Sequence, residues 1–111
     1  MLKSGVLGKL SEIVGSGNVL AEADSAAEAV AKPASTDEVQ RIVALARDEG
    51  LALTPRGGGT GLWGGAVPLR GGIVLSTERL VGEPELHRED LYVVVGAGAV
   101  TGRVREGLWE L

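Results

Sequence analysis

The sequence has no cysteine, which excludes disulfides, a thiol nucleophile and Cys-ligated zinc or iron–sulfur centres, and fits a reducing, cytoplasmic setting. Phenylalanine is also absent, and aromatics make up only 3% of the 111 residues, so any core must be built from Val, Leu, Ile and Ala. The one histidine, His87, lies in a polar stretch between Glu85 and Arg88-Glu89, which assigns it no role. No set of His, Asp and Glu has metal-ligand spacing, and no serine occupies a Gly-x-Ser-x-Gly elbow. Neither a catalytic residue nor a metal site is expected. Basic residues are outnumbered 11 to 15, for a net charge of −4, which argues against nucleic acid because that partner requires a basic face. Long apolar runs are missing too. The opening Val6-Leu7 is cut by Gly8-Lys9, so neither a signal peptide nor a membrane span is expected.

Glycine is abundant. The chain has 18, more than twice the usual share of roughly 7%. Six fall among the eleven residues Pro55-Arg56-Gly57-Gly58-Gly59-Thr60-Gly61-Leu62-Trp63-Gly64-Gly65. So dense a run cannot continue a helix or strand without a large entropic penalty. It can bring bare backbone N–H groups close to a bulky anion, since no Cβ blocks the approach and φ > 0 is accessible where amides converge. Arg56 sets a fixed positive charge at its mouth. The functional reading is a phosphate- or pyrophosphate-holding loop; the competing reading is a flexible linker. Apolar segments close on both sides favour the first. Trp63 either stacks on a ligand ring or packs beneath the loop.

Along the chain, Val6, Leu7, Leu10, Ile13 and Val14 recur at helical spacing, and Gly15-Ser16-Gly17-Asn18 ends that helix. Residues 19–28, with Asp24 and Glu28, are poorly specified. A short strand over Ala29–Lys32 runs up to Pro33, whose predecessor prefers extended geometry. Ser35 and Glu38 form a capping box, each expected to satisfy the other's amide. Behind it Val39, Ile42, Val43 and Ala46 mark one helical face, closed by Gly50. A strand over Leu51–Thr54 is expected to stop at Pro55. A second strand covers Ile73–Ser76, and residues 77–90 read as irregular. Leu91–Val95 reads as a strand buried on both faces. Gly96-Ala97-Gly98-Ala99 breaks it, and Thr101 opens a helix with Val104, Leu108 and Leu111 on one side. The alternation predicts an α+β fold, a mixed sheet with flanking helices. Residues 1–28 form a helical and irregular lead-in, and residues 29–111 the first part of a ligand-binding domain.

Gly59-Thr60-Gly61-Leu62-Trp63-Gly64 matches G-x-G-x-x-G, but Gly65-Ala66-Val67-Pro68 cannot open the helix that a dinucleotide fingerprint requires. Gly96 and Gly98 do lie between a strand and a helix, leaving a Rossmann NAD(P) domain as one alternative. Close backbone approach, to a ligand or a neighbouring strand, is the preferred role for these two glycines. A non-catalytic nucleotide- or phosphate-binding module is a second alternative.

The segments Lys32–Val39, Pro55–Ala66, Gly71–Leu75 and Val95–Gly98 together resemble the FAD-linked oxidases with a vanillyl-alcohol-oxidase or PCMH-type FAD-binding domain. Within them the chain is most similar to the glycolate oxidase D-subunit and D-lactate dehydrogenase branch. The resemblance implies that Arg56, Gly57, Gly58, Gly59, Thr60 and Gly61 hold the FAD pyrophosphate. It also implies that Leu62, Gly64, Gly65 and Ala66 pass the ribityl chain and flavin edge, and that Gly96 and Gly98 line the cofactor. FAD would be non-covalent, with neither His nor Cys near the loop. In that family a 2-hydroxy acid gives its α-hydrogen to flavin as hydride. The substrate domain lies outside these residues, so the fragment alone is not expected to be catalytic and would need a partner chain or a longer parent.

Overall fold

The computed structural model describes residues 4–21 and 27–110. Asp24 and Leu111, assigned above to the lead-in and to the last helix, lie outside them. The elements run α1 (Ser4–Val14), β1 (Val19–Leu20), β2 (Ala29–Ala31), α2 (Thr36–Asp48), β3 (Leu53–Arg56), β4 (Ile73–Ser76), β5 (Glu85–His87), β6 (Tyr92–Val94) and α3 (Thr101–Trp109), with a 3₁₀ turn at Ser16–Asn18. The first four strands form one mixed sheet in the order β1-β2-β4-β3; β5 and β6 form a separate antiparallel ribbon.

Strand β4 is the centre of the sheet. It pairs in parallel with β2 (Ala29↔Ile73, Ala31↔Leu75) and with β3 (Leu53↔Ile73, Arg56↔Ser76), and all four of its residues are buried. Alternation divides its side chains between the two faces. Ile73 and Leu75, with Ala29 and Ala31 beside them, meet Val6, Leu10 and Val14 of α1 and Ile42 and Ala46 of α2 in the main core. Val74 and Val30 form a smaller cluster with Ala27. The small alanines of β2 allow the helices to approach closely, and aliphatic side chains supply the core expected from a sequence without Phe.

Helix α2 starts and stops as its sequence dictates, with one difference. The Glu38 amide donates to Ser35 Oγ at 3.2 Å, but the Glu38 carboxylate accepts from the Ala34 amide at 2.6 Å rather than from that of Ser35. At the other end Gly50 takes φ +63°, its N–H bonds Arg47 O at 3.2 Å, and the Leu51 N–H bonds Ala46 O at 2.8 Å. This is a Schellman closure. It draws Leu51 into the helix stop, so β3 begins at Leu53 and not at Leu51. Pro55 does not end β3 but sits inside it, opposite Leu75. The strand tolerates a proline because it is the sheet edge, where a missing N–H costs no ladder bond on the open side.

Two further expectations are corrected. Residues 77–90 are not wholly irregular, since β5 lies within them, and His87 belongs to that strand rather than to a loop. Strand β6 is not buried: Tyr92 and Val94 are exposed and Leu91 is 90% exposed. This two-stranded ribbon faces α3 on the side of Leu86 and Val93 alone, so the apolar run Leu91–Val95 signals β propensity without signalling burial on both faces. His87 stacks on Tyr92 with centroids 4.3 Å apart, and its Nε2 lies 2.6 Å from Glu85 Oε1. Strand β1, in the stretch read as poorly specified, pairs Val19 with Ala31.

Candidate functional site

Strands β3 and β4 run parallel and end side by side at Arg56 and Ser76. The glycine run leaves the carboxyl end of β3, and Thr77 and Glu78 leave that of β4. Carboxyl ends of parallel strands are where open α/β sheets hold ligands, because there the chains diverge and leave a crevice. Thr77 fastens this end together. Its N–H donates to Arg56 O at 3.0 Å and its Oγ1 donates to Ala97 O at 3.0 Å.

The Ala97 end of that bond belongs to the turn joining β6 to α3. Gly98 N donates to Leu80 O at 2.8 Å, and Ala99 N donates to Gly96 O at 3.0 Å. A Cβ on Gly96 would overlap the Leu80 carbonyl oxygen, and one on Gly98 the Thr77 carbonyl oxygen. These two glycines are therefore required for close backbone packing against residues 77–81. Of the two roles open in the sequence, approach to a neighbouring segment is the one seen for both, and Gly98 also faces open space.

That space is a cleft of about 350 Å³ lined by Gly57, Gly58, Thr60, Thr77, Glu78 and residues 97–102. Gly57, Gly58, Thr60 and Gly98 are thus brought together. Gly59 and Gly61 belong to the same loop without lining the cleft. Arg56 ends β3, with its side-chain stem 3.8 Å from where a Gly59 Cβ would stand. Leu62, Gly64, Gly65 and Ala66 continue past the cleft, and Gly64 (φ +75°) makes a turn in which Val67 N bonds Gly64 O. Trp63 is 99% exposed and Leu62 96%, so Trp63 does not pack beneath the loop. Cβ atoms added at Gly61, Gly64 and Gly65 would meet nothing within 4 Å, so the chain itself does not require glycine's small size there.

Nothing in the sequence pattern marks Thr77, Glu78, Thr101 and Gly102 as residues lining a cleft. Thr101 and Gly102 open α3, whose N-cap Val100 makes no side-chain capping bond. Amides in the first helical turn have no intrahelical acceptor, and the helix dipole adds positive potential there. Thr77 carried no motif; only the parallel register of β3 and β4 places it opposite the glycine run. Glu78 pairs with Lys32 at 2.8 Å. Its carboxyl sits below the usual glutamate range, first because Lys32 donates a hydrogen bond to it and then through the Lys32 and Arg56 charges. The cleft thus combines glycine amides, a helix N-terminus and one neutralised carboxylate, a donor set suited to a phosphate-bearing ligand with hydroxyl groups. Among the described residues no His, Asp and Glu group could hold a metal, and no helix is long and apolar enough to cross a membrane.

Residues 27–110 match the family model described as an FAD binding domain. The chain belongs to this family of FAD-binding domains. It is 45% identical over 69 residues to D-lactate dehydrogenase of Archaeoglobus fulgidus, covering 62% of this chain and 15% of that protein. To glycolate oxidase subunit GlcD of Bacillus subtilis it is 36% identical over 74 residues, 67% of this chain and 16% of that one. The solved structure of p-cresol methylhydroxylase with substrate bound superposes at a TM-score of 0.83 over 98% of this chain and 25% of its own, at 19% identity. The fold is that of the PCMH-type FAD-binding domain. The chain therefore spans about a sixth of the length of these two curated relatives. FAD is the cofactor of the domain, and the bare amides and helix N-terminus of the cleft are chemically suited to its phosphate groups. The Rossmann alternative is set aside. Strand β6, which precedes Gly96 and Gly98, lies in an antiparallel ribbon outside the parallel strands.

Proposed function

We propose that this FAD-binding domain serves an oxidoreductase that oxidises a 2-hydroxy acid such as glycolate or D-lactate by hydride transfer to flavin. The observation that carries the reading is the convergence of the glycine loop and the α3 N-terminus on one cleft at the carboxyl ends of β3 and β4. In this reading the amides of residues 57–61 and of the first turn of α3 bind the pyrophosphate. Leu62, Gly64, Gly65 and Ala66 run beside the ribityl and flavin end. Thr77 keeps the two walls in register. Bound FAD supplies the hydride acceptor. The chain's own residues orient it, and the groups that hold the hydroxy acid and take its proton lie in the longer parent or a partner chain. Residues 29–111 are then the first part of the FAD domain and residues 1–28 its lead-in. The sequence has no cysteine, and its one histidine stands in β5 stacked on Tyr92, which supports non-covalent attachment. The absence of cysteine also supports a cytoplasmic setting.

Titration of the purified chain with FAD, followed by flavin fluorescence and melting temperature, tests the reading. Saturable binding that raises the melting temperature is expected, because a ligand bound only to the folded state stabilises it. A folded chain that ADP saturates as tightly as FAD would favour a nucleotide-binding module instead. In the longer parent, anaerobic glycolate or D-lactate should bleach the flavin absorbance; failure of both acids would overturn the substrate assignment.

A further inference from the structure

We propose that Arg79, which does not line the cleft, is a positioning residue that sets one of its walls; the link to cofactor affinity rests on the FAD reading above. Arg79 lies in the segment that leaves β4. Its Nη1 donates to Lys32 O, just past β2, at 2.7 Å and to Val14 O, at the end of α1, at 3.4 Å. One terminal NH₂ group thus ties three parts of the fold. The Val14 carbonyl, which also accepts from Asn18 Nδ2 at 2.9 Å, is at a helix C-terminus, where the dipole favours a cation. The neighbouring Glu78 binds Lys32 Nζ at 2.8 Å, so the segment is clasped at Lys32 through both main chain and side chain.

The same segment carries the wall. Gly98 N bonds Leu80 O, and Thr77 Oγ1 bonds Ala97 O. Neither Gly96 nor Gly98 has room for a Cβ against it. Backbones this close cannot shift independently, so any drift of residues 77–80 moves Gly98 and the start of α3 with them. Arg79 is the bolt that resists that drift. It also connects the cleft to α1, which precedes the matched residues 27–110.

Amide hydrogen exchange on the full 111-residue chain tests this without any ligand. In Arg79→Ala the Gly98 amide should exchange about tenfold faster or more, while the Ile73 amide, bonded to Ala52 O in the sheet, is unchanged. Arg79→Lys should restore part of the protection and serves if the alanine variant fails to fold. FAD dissociation constants should rise about tenfold in Arg79→Ala and less in Arg79→Lys. Unchanged Gly98 exchange, or Gly98 and Ile73 accelerating together, overturns the positioning role. Faster Gly98 exchange with unchanged FAD affinity overturns the link from wall to cofactor. Absence of FAD binding by the unsubstituted chain overturns the cofactor reading and leaves the exchange result to judge the clasp.

Discussion

Gly61→Ala separates what the glycine run does for the chain from what it does for a ligand. Gly61 is outside the left-handed region, and a Cβ added there meets nothing within 4 Å. Alanine therefore brings no clash and no forbidden backbone geometry. It narrows the unfolded ensemble, which stabilises a compatible site by about 0.4–1 kcal/mol. In a domain of this size that is a rise of several degrees in melting temperature. Binding should move the other way. In the proposed reading Gly61, next to the cleft residue Thr60, turns its amide to the pyrophosphate, and a methyl group there displaces a charge-assisted hydrogen bond, with a cost of about 1.5–3 kcal/mol. That converts to a dissociation constant for FAD weaker by roughly 10- to 100-fold. The assay is a paired measurement of thermal unfolding and fluorescence titration with FAD. Equal affinity in Gly61→Ala and the parent chain would refute the assignment of this loop. Loss of affinity together with a lowered melting temperature would refute the claim that the position is sterically open. Gly59 serves less well for this purpose, because its φ of +72° makes any side chain strained whatever the ligand does.

Gly72→Ala should be the structural opposite. Gly72 has φ +74°, a Cβ there would overlap the Ala52 carbonyl oxygen, and its own carbonyl accepts from Glu28 N and Ala29 N. Left-handed strain and overpacking together come to about 3 kcal/mol, and calorimetry should show melting lowered by more than about 10 °C. Ser35→Ala removes the oxygen that accepts the Glu38 amide, and should cost about 1 kcal/mol in denaturant unfolding with FAD affinity unchanged. Lys32→Met should return the Glu78 carboxyl toward the ordinary value of 4.5, as read by carboxyl-carbon NMR titration. Because Glu78 is lowered in the folded state, its contribution to stability is present above the unfolded value and is lost as the pH falls through the folded one. Lys32→Met should therefore lower stability slightly at neutral pH, where the exposed Glu78–Lys32 pair contributes in full, and flatten the acid limb, so that the two proteins converge as the pH falls.

Local signals were legible where one interaction range sufficed. The i, i+3, i+4 pattern and Ser35–Glu38 defined α2, and Gly50 defined its stop, because a cap and an apolar stripe are each contained within a few residues. Strand β4 was legible because a run of β-branched and aliphatic residues followed Gly71-Gly72. Elsewhere a distant partner decides the local structure. Tyr92–Val94 has the composition of a buried strand, yet among the described residues it pairs with β5 alone, and Tyr92 and Val94 stay exposed. Pro55 would end most strands, but β3 is the sheet edge. The two-residue β1 exists through its pairing with Ala31 and Val30, which nothing in residues 19–20 announces.

The sequence by itself determined the ligand chemistry of this FAD-binding domain. Bare amides in Gly57–Gly61 and a cationic Arg56 suit a phosphate-bearing ligand, since these properties are those of the residues and not of their arrangement. Only the tertiary structure decided where the second wall comes from. Parallel pairing of β3 and β4 brings Thr77 and Glu78 beside the glycine run. The absence of Cβ atoms at Gly96 and Gly98 then lets the start of α3 close against them. That juxtaposition joins residues about forty positions apart through backbone contacts, and backbone contacts between distant segments leave little trace in side-chain pattern beyond the glycines that permit them.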